Sequence, residues 1–212
     1  MSKKIRAVIF DMDGVLIDAK DWHYEALNRA LNHFGFNISR YDHVVTFDGL
    51  PTRQKLEMLT RENGLPSRLH SLINELKQIY TIELVHARCR PRFQTEFALS
   101  RLKSAGYRLA IASNSVRHSI ELMMSKSQLM RYFDVIVSNE DVTKGKPDPE
   151  IYLKTMRQLG VLPHEVLVVE DHEYGIAAGR NAGARLMVVQ DVNDVAFDNI
   201  LKHISIAEEM NG

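Results

Sequence analysis

The sequence is poor in cysteine. Cys89 stands alone among 212 residues, which excludes an intramolecular disulfide framework and any metal site built on a cysteine cluster. A reducing compartment is therefore expected, and with it a cytoplasmic location. An excess of either charge is missing too: 27 Lys and Arg balance 27 Asp and Glu, so the chain is not built to coat nucleic acid or anionic lipid. No apolar stretch approaches the ~20 residues that a membrane helix needs. The apolar run 5–10, which follows Lys3 and Lys4, is cut short by Asp11 and Asp13, well before the length of an export signal. Glycine and proline are scarce, 11 and 6 respectively, which argues against a fibrous repeat or a disordered chain. What is present, 45% apolar and 25% charged residues, suits one generous domain or one domain carrying an insert.

Periodicity gives the organisation. Residues 5–10 form a short β-rich run ending in acidic residues and Gly14, as expected of a buried strand that delivers its carboxyl end to a polar site. Apolar residues then recur at helical spacing over 21–34, 50–63 and 69–85, with 41–49 as a turn-rich link, so that 18–88 is expected to be all-helical. After Pro91 helix and strand alternate. Helices are expected over 95–105, 116–125, 149–159, 175–182 and 196–210, and strands over 107–112, 135–137, 166–170 and 185–189. That alternation predicts an α/β fold, a doubly wound parallel sheet formed by 1–17 and 89–212, interrupted by the helical insert 18–88.

In open α/β sheets ligands collect outside the carboxyl ends of the strands. There the sequence places Asp11-Met-Asp-Gly14, Ser113-Asn114 and Glu170-Asp171, with Lys146 in the loop Lys144-Gly-Lys-Pro-Asp-Pro149. Each alone is commonplace: an acidic pair makes a turn, Ser-Asn caps a helix, and a lysine before proline is solvated surface. Together they are not, because several carboxylates at one sheet edge repel unless a cation or a shared proton holds them. All-oxygen ligation suits Mg2+. Ser113 and Lys146 add a hydroxyl donor and a cation for phosphoryl oxygens, and the chemistry this set favours is phosphoryl transfer.

Asp11-Met-Asp-Gly-Val-Leu-Ile-Asp18, Ser113-Asn114, Gly145-Lys-Pro-Asp-Pro-Glu-Ile-Tyr152 and Val169-Glu-Asp171 resemble the four ordered motifs of the haloacid dehalogenase superfamily, and Gly175-Ile-Ala-Ala-Gly-Arg-Asn-Ala-Gly183 strengthens the match. The chain is most similar to the branch that contains β-phosphoglucomutase and small sugar-phosphate phosphatases, whose helical cap follows the first motif, where 18–88 falls. The resemblance implies that Asp11 is the nucleophile of an aspartyl-phosphate pathway and that Asp13 protonates the leaving oxygen and later takes a proton from water. It implies phosphate binding by Ser113, Asn114 and Lys146. Mg2+ would be held by Asp11, the Asp13 backbone carbonyl and Asp171, with Glu170 as a direct or supporting ligand. Asp18 would order the loop. Asp13 also separates this site from the dehalogenases of the superfamily, which lack a carboxyl there.

The same resemblance points to substrate-selecting residues in the cap. They are His23, twelve residues after the nucleophile, and the loop from Gly49 to Leu56, where Arg53 is the leading basic candidate ahead of Lys55 and Lys77. Thr52 stands where mutases carry the basic residue, and Ala19 replaces a threonine common in mutases. After Glu170-Asp171, His172 and Glu173 replace a small hydroxyl residue and put a titratable ring at the site mouth. The reading is a phosphatase of a small phosphorylated metabolite such as a sugar phosphate, with a cap that closes over the site. A phosphosugar mutase is second, and a non-catalytic regulatory or sensor protein on the same fold is third. Nucleic acid and membrane partners are not expected. The sequence leaves monomer and weak homo-oligomer equally open.

Overall fold

The computed structural model describes residues 4–47 and 50–209, which divide into two units, Met1–Asp18 with Cys89–Gly212 and Ala19–Arg88. The second unit is helical: α1 (Lys20–Asn32), α2 (Arg40–Asp42), α3 (Thr52–Asn63) and α4 (His70–Arg88). α1 buries Ala26, Leu27, Ala30 and Leu31, the i, i+1, i+4, i+5 stripe that sequence periodicity anticipates. Leu27, Ala30 and Leu31 pack with Ile38, Phe47, Leu56, Leu59, Leu65 and Ile73 into a core of the unit's own. Each such large side chain, once fully buried, contributes about 1.5–3 kcal/mol.

The expected turn-rich link 41–49 is replaced, as far as it is described, by helical structure. Ser39 caps α2, its Oγ accepting the Asp42 N–H at 3.0 Å, and α2 runs on into a wider π-type turn, His43–Phe47. The added residue per turn that a π segment accommodates hides it from a 3.6-residue pattern, while the burial of Phe47 gives it a hydrophobic anchor.

The first unit carries a five-stranded sheet, β1 (Ala7–Phe10), β2 (Arg108–Ala112), β3 (Val135–Val137), β4 (Val166–Glu170) and β5 (Arg185–Val188), in the order β3-β2-β1-β4-β5. Every pairing is parallel; Ala7 lies beside Arg108 and Val166, and Phe10 beside Ile111 and Val169. All four residues of β1 are buried, as a central parallel strand covered on both faces requires. Its helices are α5 (Phe93–Ser104), α6 (Arg117–Lys126), α7 (Glu150–Leu159), α8 (Glu173–Asn181) and α9 (Phe197–Glu209). Ala7 and Ile9 pack with the buried faces of α7 and α8; Val8 and Phe10, one residue out of phase, face the other side, where α5 and α9 pack on each other and reach β2 and β5. The sheet is thus doubly wound. Its order reverses beside β1, which marks the crevice at the carboxyl ends of β1 and its neighbours as the ligand position. No described helix is long and apolar enough to cross a membrane.

Candidate active site

Asp11 follows β1 and extends its ladder, donating its N–H to Val169 O at 3.0 Å. The chain then reverses tightly. Met12 O accepts from Leu16 and Ile17 N–H at 2.9 and 3.0 Å, and Gly14 N–H reaches Ile17 O at 2.7 Å. Gly14 takes φ of +89°, where a Cβ would cost energy. Met12, Val15 and Leu16 are wholly buried and anchor the turn from its apolar side, leaving Asp11 and Asp13 on the polar side.

The other strands bring their ends to the same place. β2 delivers Ser113, 2% exposed, whose Oγ accepts the Ser115 N–H at 3.1 Å. Asn114 is committed to the lysine loop: its Oδ1 accepts the Lys146 N–H at 3.0 Å, and its Nδ2 donates to Lys146 O at 3.4 Å. The Lys146 ammonium, its side chain only 5% exposed, donates to Asp11 Oδ1 and to Glu170 Oε1, both at 2.6 Å. It also lies 4.9 Å from the centre of the Tyr152 ring. Tyr152, on the first turn of α7, donates its hydroxyl to Glu170 Oε1 at 2.6 Å. Glu170 Oε2 accepts from the backbone N–H of Asp171 at 3.1 Å and of His172 at 3.5 Å. Asp13 Oδ2 accepts the Ser115 hydroxyl at 2.8 Å.

Burial pushes the Asp11 carboxyl well above the ordinary carboxylate range; Lys146 works against that rise, while Glu170 and Asp13 add to it. Burial by itself would lower Lys146, yet the charges of Asp11 and Glu170 outweigh it and hold the ammonium above its ordinary value. Tyr152 is pushed well above its ordinary range by burial and then by Glu170, so it remains a hydrogen-bond donor. One carboxylate oxygen from each of Asp11, Glu170 and Asp171 can be drawn within 4.8 Å of the others. Lys146 pairs with two of the three, Asp11 and Glu170, and an all-oxygen donor set of this kind fits a hard divalent cation. Both Glu170 oxygens are already engaged, so Glu170 suits a supporting place and Asp11 and Asp171 the direct one.

The structure thus brings Asp11, Asp13, Ser113, Asn114, Lys146, Glu170 and Asp171 to one sheet edge. His172 sits there in a structural role, capping α8 through its Nδ1, which accepts the Tyr174 N–H at 3.3 Å. This cap is why α8 starts at Glu173 rather than at the expected 175. The remaining candidates belong to the helical unit. His23 is on α1, Thr52 opens α3, Lys77 is on α4, and Arg53, its side chain 87% exposed, pairs with Glu57 at 2.9 Å; Gly49 lies outside the described residues. A groove of about 400 Å3 on that unit is bordered by Arg29, Arg40 and Arg88, each already ion-paired, with Glu83, Asp21 and Glu25 respectively. None of His23, Thr52, Arg53 and Lys77 lines it.

Two side chains at the site were not singled out from the sequence. Tyr152 lies in the Gly145–Tyr152 motif, but only the fold shows that its hydroxyl meets a carboxylate eighteen positions on. Ser115 carried a faint signal, as the second hydroxyl residue after β2, two positions beyond Ser113.

The model of the family described as haloacid dehalogenase-like hydrolase matches residues 8–189, and the chain belongs to that family. It is 33% identical over 195 residues to a phosphorylated carbohydrates phosphatase of Thermotoga maritima, spanning 90% of this chain and 88% of that protein. A phosphoglycolate phosphatase of Aquifex aeolicus is 31% identical over 186 residues, or 85% of this chain and 83% of that one. A β-phosphoglucomutase crystal structure from Clostridium difficile shares the fold with a TM-score of 0.82 at 23% identity, over 95% of this chain and 98% of that one. The fold and the family that the motifs led us to expect are both borne out.

Proposed function

We propose that this hydrolase is a Mg2+-dependent phosphatase of a small phosphorylated metabolite, with sugar phosphates the leading class, working through an aspartyl-phosphate on Asp11. The observation that carries this reading is the Lys146 ammonium 2.6 Å from Asp11 Oδ1, with a second carboxylate, Asp13, two residues on and held by a different partner. The names of the Thermotoga and Aquifex relatives support it.

An oxygen of Asp11 attacks phosphorus, the bond from phosphorus to the leaving oxygen breaks, and protonated Asp13 gives its proton to that oxygen, releasing an alcohol. Water then attacks the same phosphorus, passes a proton to the Asp13 carboxylate, and the Asp11–phosphorus bond breaks to give inorganic phosphate. Lys146 offsets the charge of the nucleophile and of the phosphoryl oxygens, and the Ser113 hydroxyl donates to one of those oxygens. Mg2+, held by Asp11, Asp171 and the Asp13 backbone carbonyl with Glu170 in support, would supply further charge neutralisation to the phosphoryl group. Asn114 serves by fixing the Lys146 backbone. Substrate selection is assigned to the helical unit as a cap, with His23, Gly49, Thr52, Arg53 and Lys77 the residues to vary, and the setting to the cytoplasm.

The test is phosphate release from a panel of phosphorylated metabolites with and without Mg2+. Turnover that EDTA abolishes, Mg2+ restores and Asp11→Asn removes is the expected result. Activity that survives Asp11→Asn would overturn the reading. So would conversion of a hexose 1-phosphate into its isomer, primed by trace bisphosphate and without free phosphate, which is the mutase outcome. Inertness toward every substrate would favour the non-catalytic alternative.

A further inference from the structure

The three residues after β2 are used one by one. Ser113 Oγ accepts the Ser115 N–H, Asn114 holds the lysine loop through two hydrogen bonds, and the Ser115 hydroxyl reaches Asp13 Oδ2 at 2.8 Å across 102 residues of sequence. Ser115 is itself held on both sides of its Cα, by its N–H on Ser113 and by its carbonyl, which accepts the Asn139 N–H at 3.2 Å. Its backbone is therefore fixed relative to the sheet, and one side-chain torsion is left to place its hydroxyl. Asp13 lies on the tight Met12–Ile17 turn, whose backbone is set by its own hydrogen bonds, but those bonds leave the two side-chain torsions of the aspartate undetermined. The bond to Ser115 restrains them.

We infer that Ser115 is a positioning residue for acid–base catalysis: its hydroxyl holds the Asp13 carboxyl group in the orientation from which it serves the leaving oxygen. The inference rests on the phosphatase reading above and adds to it a residue outside the recognised motif positions. A hydroxyl can donate to a carboxylate and accept from a carboxylic acid, so this hold persists through both half-reactions. Misorientation of a catalytic group is felt in turnover more than in binding. It is felt most where the leaving oxygen needs a proton, and least where it departs as a stable anion.

The probes are therefore p-nitrophenyl phosphate, whose leaving group departs without a proton, and glycerol 2-phosphate, whose alkoxide cannot. For Ser115→Ala, the ratio of kcat on glycerol 2-phosphate to kcat on p-nitrophenyl phosphate should fall by about tenfold, the scale of one lost hydrogen bond to a charged group. Ser115→Thr keeps the hydroxyl and should restore the ratio to within about threefold. In an Asp13→Asn background, Ser115→Ala should lower the ratio no further, because the group it orients is gone. An equal loss on both substrates, a rise in KM in place of the loss in kcat, or failure of the threonine to rescue would each overturn the inference while wild-type turnover leaves the phosphatase reading standing. Wild-type protein inert toward both probes would instead overturn the phosphatase reading, and this inference with it.

Discussion

Gly175 is the position at which the smallest change should do the greatest harm. A Cβ there would lie 1.8 Å from Glu170 Oε1, 2.0 Å from its Cδ and 2.4 Å from its Oε2, where ordinary contact needs about 3.5 Å. Glu170 is 1% exposed and cannot swing into solvent. Moving its carboxylate by the roughly 1.5–2 Å that contact distances demand breaks the 2.6 Å bonds from Lys146 and Tyr152. Each is a hydrogen bond involving a charged group, worth about 1.5–3 kcal/mol, so Gly175→Ala should lose about 3–6 kcal/mol of a total that is typically about 5–15. Urea denaturation followed by circular dichroism measures this directly. The decisive comparison is the same substitution in a Glu170→Ala background. With the carboxylate removed the clash disappears, and Gly to Ala within a helix is then favourable by about 0.5–1 kcal/mol. The reasoning requires this change of sign; an equal loss in both backgrounds, or a single variant within about 1 kcal/mol of wild type, would refute it.

Two further outcomes are expected. Tyr152→Phe removes the hydroxyl bond to Glu170 without changing the ring beneath Lys146, and should cost about 1.5–3 kcal/mol in the same urea experiment; no measurable loss would deny that bond a role in stability. Burial by itself would raise Asp141, but the Ser138 N–H and hydroxyl, both at 2.8 Å, and the Arg117 guanidinium at 2.5 Å hold it below the ordinary carboxylate range. A carboxyl with a depressed value in the folded state stabilises above its unfolded value of about 3.9 and loses that contribution as pH falls through the folded one. The gap in melting temperature between wild type and Asp141→Asn should therefore be full near neutrality and close below about pH 4; a constant gap would contradict it.

β1 was legible because four apolar residues run up to Asp11, and the ends of β1, β2 and β4 were legible because each carries chemistry at a position that the α/β pattern places on one edge. The pairing of Lys146 with Asp11 was not, since it joins residues 135 positions apart and no local period encodes it. Glu170 was expected near the metal; that it also anchors Lys146 and Tyr152 follows from the packing of α7 and α8 together on one face, a tertiary fact. The stretch after Ser39 was misread as a link because a π-type turn breaks the helical period. In the helical unit the resemblance could nominate Arg53, but it could not reveal that Glu57, one turn on, already holds that side chain.

The sheet order has a consequence for how the chain is made. Within this sheet β1 precedes the other strands, yet both of its neighbours come late: Arg108 and Val166 lie beside Ala7, and all of Ala19–Arg88 precedes either partner strand. The helical unit closes its core from residues 27–73, contacts of modest sequence separation that form quickly, whereas the sheet depends on distant ones that form slowly. On a nascent chain the helical unit can therefore close while the apolar strand Ala-Val-Ile-Phe waits for β2 on one side and β4 on the other. That interval is when the protein is most open to aggregation, and a stall anywhere before Glu170 prolongs it.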